Sequence, residues 1–225
     1  MYDLYIANKN YSSWSLRPWV LLRTLDIPFN EKLMPFGSSN HDFSTFSPTA
    51  RVPCLVQSDL TVWDSLSIIE YLAERHKGVW SDNAKARAWS RSAAAEMHSG
   101  FQALRNDHPM SVGLRIRPAA MSQSLQKDIS RVDALWQQGL ELFGGPFLAG
   151  EQFTAVDAFF CPVVFRFQTY GTPLSAASEH YKTNILSLTA MQEWQDAALQ
   201  ETWRDPEHEA EAKAAGEWTE DLRGK

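Results

Sequence analysis

The protein has 225 residues and carries 21 Lys and Arg against 27 Asp and Glu, a formal net charge of −6. This acidic balance argues against a general nucleic-acid or anionic-membrane surface, because both kinds of surface need excess positive charge. Hydrophobic residues make up 44% and charged residues 21%, which is typical of a globular protein and excludes a disordered one. The longest apolar run, residues 158–165, is too short to span a bilayer.

The N-terminal sequence and the cysteines bear on cellular location. The first five residues contain no basic stretch followed by an apolar core, so no secretory signal is expected. Cys54 and Cys161 both lie in apolar runs, which predicts reduced packing residues rather than a disulfide. We therefore expect a cytoplasmic protein.

The first eighty residues alternate short apolar runs with helical patterns. Apolar runs predict strands at residues 4–7, 29–35, 54–56 and 61–63. Apolar residues at helical spacing predict helices near residues 18–25 and 65–78, with a short helix or irregular loop at 40–46. The predicted order is β-α-β-(α)-β-β-α.

From residue 84 onward the composition shifts to helix formers. The pattern predicts four helices, at residues 84–107, 119–143, 154–170 and 186–203. The third is apolar on nearly all sides, which predicts a buried core helix. Arg115 and Arg117 are interpreted as solvated loop charges, and residues 204–225 as a polar tail that wraps the surface or frays.

These patterns predict two domains. Residues 1–78 form an α/β domain, residues 84–225 form an all-helical domain, and residues 77–83 link them.

The loop between the first strand and the first helix is rich in hydroxyl groups. Ser12 and Ser13 stand at the N-terminus of that helix, where free N–H groups and the helix dipole favour an anion. Serines in this position commonly serve only as helix caps. The pattern alone leaves both interpretations open.

Two further segments are equally ambiguous. Pro53 enters the third strand, where proline marks either a strand start or a cis bond that would leave the Val52 backbone free for an extended peptide ligand. Asp64 and Ser65 precede the next helix. They are either an N-cap pair or the site of an amino-acid head group, with Asp64 on the ammonium and Ser65 on the carboxylate.

In this order and spacing, the three segments resemble those of the glutathione transferase superfamily, and the resemblance covers nearly the whole chain. Residues 12–17 (SSWSLR) resemble the serine motif of the zeta and tau classes, in which the leading serine lies five residues before an arginine. Val52-Pro53 resembles the cis-proline of the superfamily. Asp64-Ser65 resembles its pair of an acidic residue and a serine.

The resemblance also implies a fold. It implies an N-terminal thioredoxin-like domain (βαβ-ββα) that binds glutathione and an all-α C-terminal domain that supplies most of the second-substrate pocket. Thr154 and Asp157 resemble the buried capping box of the superfamily, which is structural and carries no chemistry.

The catalytic role implied by the resemblance falls on the serine motif. Ser12 would donate a hydrogen bond to the glutathione sulfur and stabilise its thiolate, the nucleophilic form. A shift of one residue in the alignment would give this role to Ser13. Lowering the thiol pKa by about two units requires about 2.7 kcal/mol of selective stabilisation, which one hydroxyl and a helix N-terminus can supply.

The binding roles implied by the resemblance cover the rest of glutathione. The backbone beside Val52-Pro53 would pair with its cysteinyl part, and Asp64 with Ser65 would hold its γ-glutamyl group. The glycyl carboxylate would lie against Arg51, which stands where the superfamily often has a lysine, with His41 as a second candidate.

Three departures from the superfamily pattern are informative. No cysteine stands at position 12 or 13, which disfavours thiol–disulfide exchange. Trp14 stands where zeta members carry a cysteine. Thr169 stands where zeta isomerases carry a carboxylate-binding arginine, with Arg166 one turn earlier. The sequence shows no cluster with the spacing of a metal site.

We therefore expect a cytoplasmic glutathione transferase, a homodimer as is usual in the superfamily, that conjugates glutathione to a small, apolar electrophile in detoxification. Glutathione serves as co-substrate, and no nucleic acid, membrane or metal is expected as a partner. Two alternatives remain. One is a glutathione-dependent isomerase or dehalogenase, and the other is a non-catalytic stress protein that binds glutathione.

Overall fold

The computed structural model describes residues 1–37 and 42–224; His41 lies outside the described residues. A four-stranded sheet of order β2-β1-β3-β4 forms the first half. Strands β1 and β2 are parallel, and β3 runs antiparallel to both β1 and β4. The elements are β1 (Tyr2–Ile6), α1 (Ser13–Thr24), β2 (Phe29–Leu33), β3 (Cys54–Gln57), β4 (Leu60–Val62) and α2 (Ser65–Ala73).

The second half is mainly helical. Its elements are α3 (Ala84–Ser99), α4 (Gln102–Asp107), β5 (Leu114–Pro118), α5 (Gln123–Phe143), α6 (Ala155–Thr169), α7 (Ala176–Ser187), α8 (Thr189–Gln200), α9 (Pro206–Ala215) and β6 (Gly216–Asp221). The predicted fold class is thus confirmed, with one addition, a small sheet made by β5 and β6. The domain boundaries at 78 and 84 stay a prediction.

Helix α6 is the centre of the core, as predicted from its apolar sequence. Nearly all its side chains are buried, and it packs between α1 and α3. The predicted capping box is present: the Asp157 carboxylate accepts hydrogen bonds from the Thr154 backbone N–H (2.9 Å) and from the N–H of Leu148, which lies earlier in the chain (2.9 Å). Burial raises the pKa of Asp157 to about 6, although these hydrogen bonds oppose the shift.

The prediction of one helix over residues 84–107 is wrong at Gly100. Gly100 is extended (ψ −164°) and Phe101 is left-handed (φ 60°), so the chain turns between α3 and α4. A Cβ at Gly100 would lie 2.8 Å from the Glu96 carbonyl oxygen, which only glycine avoids. Arg105 stabilises the break by donating hydrogen bonds to the Met97 and Gly100 carbonyl oxygens.

Of the two alternatives for the tail, fraying is wrong, and Arg115 and Arg117 lie in a strand rather than in a loop. Residues 206–221 form α9 and β6, and β6 pairs with β5 in an antiparallel sheet. Arg117 lies opposite Glu217 in this sheet, and their side chains form an ion pair of 2.6 Å. The two strands are about a hundred residues apart, so their pairing left no local signal in the sequence.

The helix predicted at 186–203 corresponds to α8, whereas α7, which ends just before Leu188, was not predicted. Helix α7 buries only three side chains, so its apolar pattern is too sparse to predict from spacing alone.

Candidate active site

A cavity of about 450 Å³ lies where the sheet half meets the helical half. Ser12, Ser13, Arg51 and Val52 line it, together with side chains of the helical half: His98, Arg105, Arg166, His208 and Glu211. A neighbouring hollow of about 600 Å³ is lined by Trp14, Thr49, Arg51, Val52, Pro53, Trp63 and Asp64. Trp14, Arg51 and Val52 border both spaces, which therefore adjoin. A further hollow of about 610 Å³, between α1 and α8, contains none of the predicted site residues.

The serine loop presents two buried hydroxyl groups at the start of α1. The Asn8 carbonyl accepts hydrogen bonds from the N–H groups of Tyr11 (3.1 Å) and Ser12 (2.8 Å), which folds the loop tightly. The Ser12 hydroxyl donates to Ser15 Oγ (2.7 Å), which also accepts from the Ala7 N–H (3.4 Å). Among the described residues, the Ser13 hydroxyl has no hydrogen-bond partner. Both serines thus line the cavity. The Ser12 hydroxyl already donates a hydrogen bond to Ser15, whereas the Ser13 hydroxyl donates none to a described residue.

Glu201, at the end of α8, anchors this loop. Its buried carboxylate accepts hydrogen bonds from the backbone N–H groups of Lys9 (2.6 Å) and Asn10 (3.2 Å) and from Asn10 Nδ2 (3.2 Å). Burial raises the pKa of Glu201, and these donors oppose the rise. The position of the serine loop therefore depends on a residue of the helical half.

Asp64 is an N-cap and also borders the second hollow. Its carboxylate accepts a hydrogen bond from the Leu66 N–H (2.9 Å), and its side chain is 54% exposed. His98 Nε2 lies 3.3 Å from its other oxygen. Burial lowers the pKa of His98, while the Asp64 charge acts against this shift. The capping interpretation is confirmed, and the half-exposed carboxylate still borders the second hollow.

Arg17 is a buried cation that lies behind the site. The sequence analysis used it only as the arginine that follows the leading serine of the motif by five residues. Its guanidinium lies 4.1 Å from the Trp14 ring centroid and 4.9 Å from that of Phe159. Its Nη1 donates to Ser65 Oγ (3.5 Å), and Ser65 is itself buried beneath Asp64. Burial lowers the pKa of Arg17, and so do the neighbouring arginines.

The Val52–Pro53 peptide bond is cis, one of the two alternatives that the sequence left open. Val52 lines both spaces, and β3 begins directly after Pro53. Cys54 is buried, and burial raises the pKa of its thiol to about 11. This supports the interpretation of Cys54 as a packing residue, because the reactive form of a cysteine is the thiolate.

The first cavity is rich in basic side chains, although the chain as a whole is acidic. Arg105 and Arg166 face it from the helical half, and Glu211 is the acidic residue among its lining side chains. Burial lowers the pKa of Arg166 to about 10, which leaves it charged at neutral pH. Arg166 is fixed by hydrogen bonds to the carbonyl oxygens of Arg105 and His108. The sequence analysis noted Arg166 only as lying one turn before Thr169, and it assigned neither arginine to the site.

The C-terminal segment closes one side of this cavity. The Tyr11 hydroxyl donates to Glu209 of α9 (2.6 Å) and accepts from Arg223 (3.2 Å). Burial alone would lower the pKa of Arg223, but hydrogen bonds to Asp221 and Glu209 raise it overall. The sequence analysis did not predict these contacts, because it interpreted the residues of α9 as part of a polar tail. Tyr11 lies about two hundred residues away from its partners, so no local pattern links them.

Replacement of His108 by phenylalanine is expected to reduce the loss of stability in acid. His108 stacks on Tyr170 (3.9 Å between centroids), and neither ring nitrogen has a hydrogen-bond partner within the described chain. Burial, and then Arg166, lower its pKa from 6.5 to about 4. Above pH 6.5, His108 is neutral in both the folded and the unfolded chain. Between pH 6.5 and 4 the unfolded chain binds a proton that the folded protein does not, so the free energy of unfolding falls.

Urea unfolding at pH 7.5 and at pH 5 measures this effect. Between these values the variant should lose about 2 kcal/mol less unfolding free energy than the original protein. Equal losses would show that His108 is not the titrating group.

Comparison with known proteins relates the sheet half to one family and the whole chain to one fold. The family model described as "Glutathione S-transferase, N-terminal domain" matches residues 11–75, the segment that contains Ser12, Val52-Pro53 and Asp64. The fold is similar to that of a Burkholderia glutathione transferase homologue with bound glutathione, with a TM-score of 0.66 at 19% identity over 88% of this chain and 97% of that one. Residues 11–75 therefore match the N-terminal domain of glutathione S-transferases, and the chain as a whole has the glutathione transferase fold.

Two curated relatives match most of the chain. The rat (Rattus norvegicus) protein named maleylacetoacetate isomerase is 26% identical over 198 residues, which is 84% of this chain and 89% of that protein. The Escherichia coli K12 protein named glutathione S-transferase GstB is 29% identical over 175 residues, 72% of this chain and 82% of that one.

Two features are absent from residues 1–37 and 42–224. Within these ranges no group of three or more His, Cys, Asp or Glu side chains is arranged to hold a metal ion. No helix in the same ranges is long and apolar enough to cross a membrane.

Proposed function

We propose that the protein binds glutathione across the two adjoining spaces, converts its thiol to the thiolate and transfers it to a small electrophile. The observation that carries this proposal is the convergence of Ser12, Val52 and Asp64 on adjoining spaces at two helix N-termini. Such ends favour negative charge, which suits both a thiolate and a carboxylate.

In the proposed binding mode, each part of glutathione contacts residues that line the two adjoining spaces or begin α2. The Val52 backbone pairs with the cysteinyl part beside Pro53, and the half-exposed carboxylate of Asp64 holds the γ-glutamyl ammonium. Ser65 acts through its backbone N–H, because its hydroxyl is turned inward to Arg17. Arg51, with its position at the junction of both spaces, holds the glycyl carboxylate. His41 remains a proposal for the same carboxylate.

An ultraviolet difference titration of bound glutathione tests thiol activation. We expect the thiolate absorbance to develop about two pH units below that of free glutathione, because a free thiol has a pKa of about 8.5 to 9. Binding without a lowered pKa would contradict the transferase and would favour the non-catalytic stress protein.

A glutathione-dependent isomerase is the second candidate function. Arg105 and Arg166 offer positive charge to an anionic substrate group, and the curated relatives include proteins named maleylacetoacetate isomerase. Product stoichiometry separates the candidates, because conjugation consumes one glutathione per turnover and isomerisation regenerates it. For the conjugation reaction, in contrast, the cavity offers an apolar surface to the electrophile, formed by Trp14, Phe36 and Phe43.

We also propose that the protein is a cytoplasmic homodimer with a role in detoxification, as is usual in the superfamily. Light scattering of the purified protein should give about twice the monomer mass of 25.5 kDa.

A further inference from the structure

His208, in the first turn of α9, projects a fixed imidazole ring into the cavity that holds the serine loop. The ring is stacked between Tyr11 and Phe36, with centroid separations of 5.0 Å and 5.1 Å and interplanar angles of 21° and 19°. Tyr11 directly precedes Ser12. The stack therefore places the imidazole beside the loop whose hydroxyls face the proposed sulfur position.

Asp205 sets the protonation pattern of this ring. Its Oδ2 accepts hydrogen bonds from the His208 backbone N–H (3.1 Å) and from ring Nδ1 (2.6 Å), and the residue is only 8% exposed. A carboxylate can only accept, so Nδ1 carries a proton and Nε2 is the nitrogen left to exchange one. Nε2 has no hydrogen-bond partner among the described residues.

Helix capping alone does not explain this arrangement. The cap of α9 is complete once Asp205 accepts from the backbone N–H of His208. The additional bond to the ring, and the two aromatic rings around it, fix a side chain that a cap does not require. A carboxylate that orients an imidazole is the arrangement that prepares a histidine for proton transfer.

We propose that His208 is a general acid–base residue for the addition of glutathione to α,β-unsaturated carbonyl compounds. This inference rests on the proposed function and names the class of electrophile. Additions need a proton donor, because they place an electron pair on the acceptor. Substitutions at a haloarene do not, because the halide leaves with its own electron pair.

The proposed step balances with glutathione and the unsaturated compound alone. The thiolate forms a C–S bond at the β-carbon, and the π electron pair of the C=C bond moves to the α-carbon and carbonyl oxygen as an enolate. Protonated His208 gives its Nε2 proton to the α-carbon. The neutral ring then regains a proton from solvent, to which the next glutathione thiol releases its own proton when it forms the thiolate. Arg105 and Arg166, which line the same cavity, supply positive charge near the enolate oxygen.

The test compares two acceptors in the same protein. The probes are trans-4-phenyl-3-buten-2-one, an enone, and 1-chloro-2,4-dinitrobenzene, a haloarene. In the His208→Gln variant we expect the ratio of the enone rate to the haloarene rate to fall at least about tenfold, since general acid–base groups contribute about 10²–10⁴-fold. His180→Gln, at an exposed histidine of α7, is the matched control and should keep the ratio.

Chemical rescue distinguishes proton transfer from packing. Adding imidazole to the His208→Ala variant should restore enone addition, because the space between Tyr11 and Phe36 can accept a free ring. Pyrazole has nearly the same shape but is too weak a base at neutral pH, so it should not restore the rate. Asp205→Asn keeps a capping oxygen without the charge, and we expect an intermediate fall in the same ratio.

The outcomes separate this inference from the proposed function. An unchanged ratio in His208→Gln, or equal rescue by pyrazole, would overturn the role of His208. An original protein that conjugates the haloarene but not the enone would overturn the electrophile class. If the original protein conjugates neither probe and does not lower the thiol pKa, the proposed transferase function fails with it.

Discussion

Replacing Ser12 by alanine is expected to raise the pKa of the bound glutathione thiol by about one unit, since the helix N-terminus remains, and to lower turnover about tenfold below that pKa. The reason is the loss of the hydroxyl that we propose as the donor to the sulfur. In the structure this hydroxyl donates to Ser15 Oγ, which also accepts from the Ala7 N–H. When a thiolate binds, the two serines can exchange roles. Ser15 then donates to Ser12, and Ser12 donates to the sulfur.

Such a chain polarises each hydrogen bond in turn and strengthens the final donor. Ser15→Ala should therefore give a smaller rise in thiol pKa than Ser12→Ala. Ser92→Ala, at an exposed serine of α3, is the matched control and should change neither quantity. The measurement is the titration of thiolate absorbance, combined with turnover of 1-chloro-2,4-dinitrobenzene.

Ser13 is the competing candidate, because its hydroxyl is free among the described residues. Full turnover in Ser12→Ala with loss of turnover in Ser13→Ala would transfer the activating role to Ser13. The alignment would then be shifted by one residue, while the rest of the binding mode would remain.

Replacing Glu201 by alanine is expected to lower the free energy of unfolding by about 3 to 5 kcal/mol, because it removes the acceptor of three buried hydrogen bonds. The abandoned donors are the backbone N–H groups of Lys9 and Asn10 and the Asn10 side-chain amide. Buried donors without an acceptor carry the full desolvation penalty. The melting temperature should fall by about 10 °C or more, given the size of the protein.

Calorimetry or chemical denaturation checks this value. Glu201→Gln keeps one acceptor oxygen and should lose less stability than Glu201→Ala. Glu193→Ala, an exposed position on the same helix, is the matched control and should stay within about 0.5 kcal/mol of the original protein. A loss in Glu201→Ala no larger than that of Glu193→Ala would refute the anchoring role of Glu201.

The local parts of the site were predictable from the sequence. Ser12, Val52-Pro53 and Asp64 each lie where a strand meets a helix or loop, so their neighbours in sequence define their surroundings. The capping box was predictable for the same reason, since its two residues, Thr154 and Asp157, stand only three positions apart.

The parts that depend on distant contacts were not predictable. Arg17, Arg105 and Arg166 reach the site through the packing of α1, α4 and α6, which the order of residues does not encode locally. His208 could not be assigned without the pairing of β6 with β5, because that pairing holds α9 against the serine loop. Spacing predicts faces of helices, and it does not predict which faces meet.

The contact between Tyr11 and Arg223 joins positions separated by 212 residues. At ribosomal rates of about 5–20 residues per second, this interval takes about 10 to 40 s to synthesise. For most of that time neither Glu201, which anchors the serine loop, nor the wall formed by α9 has been made. The growing chain therefore carries an open and unanchored site, and the cavity can close only after Arg223 has been added.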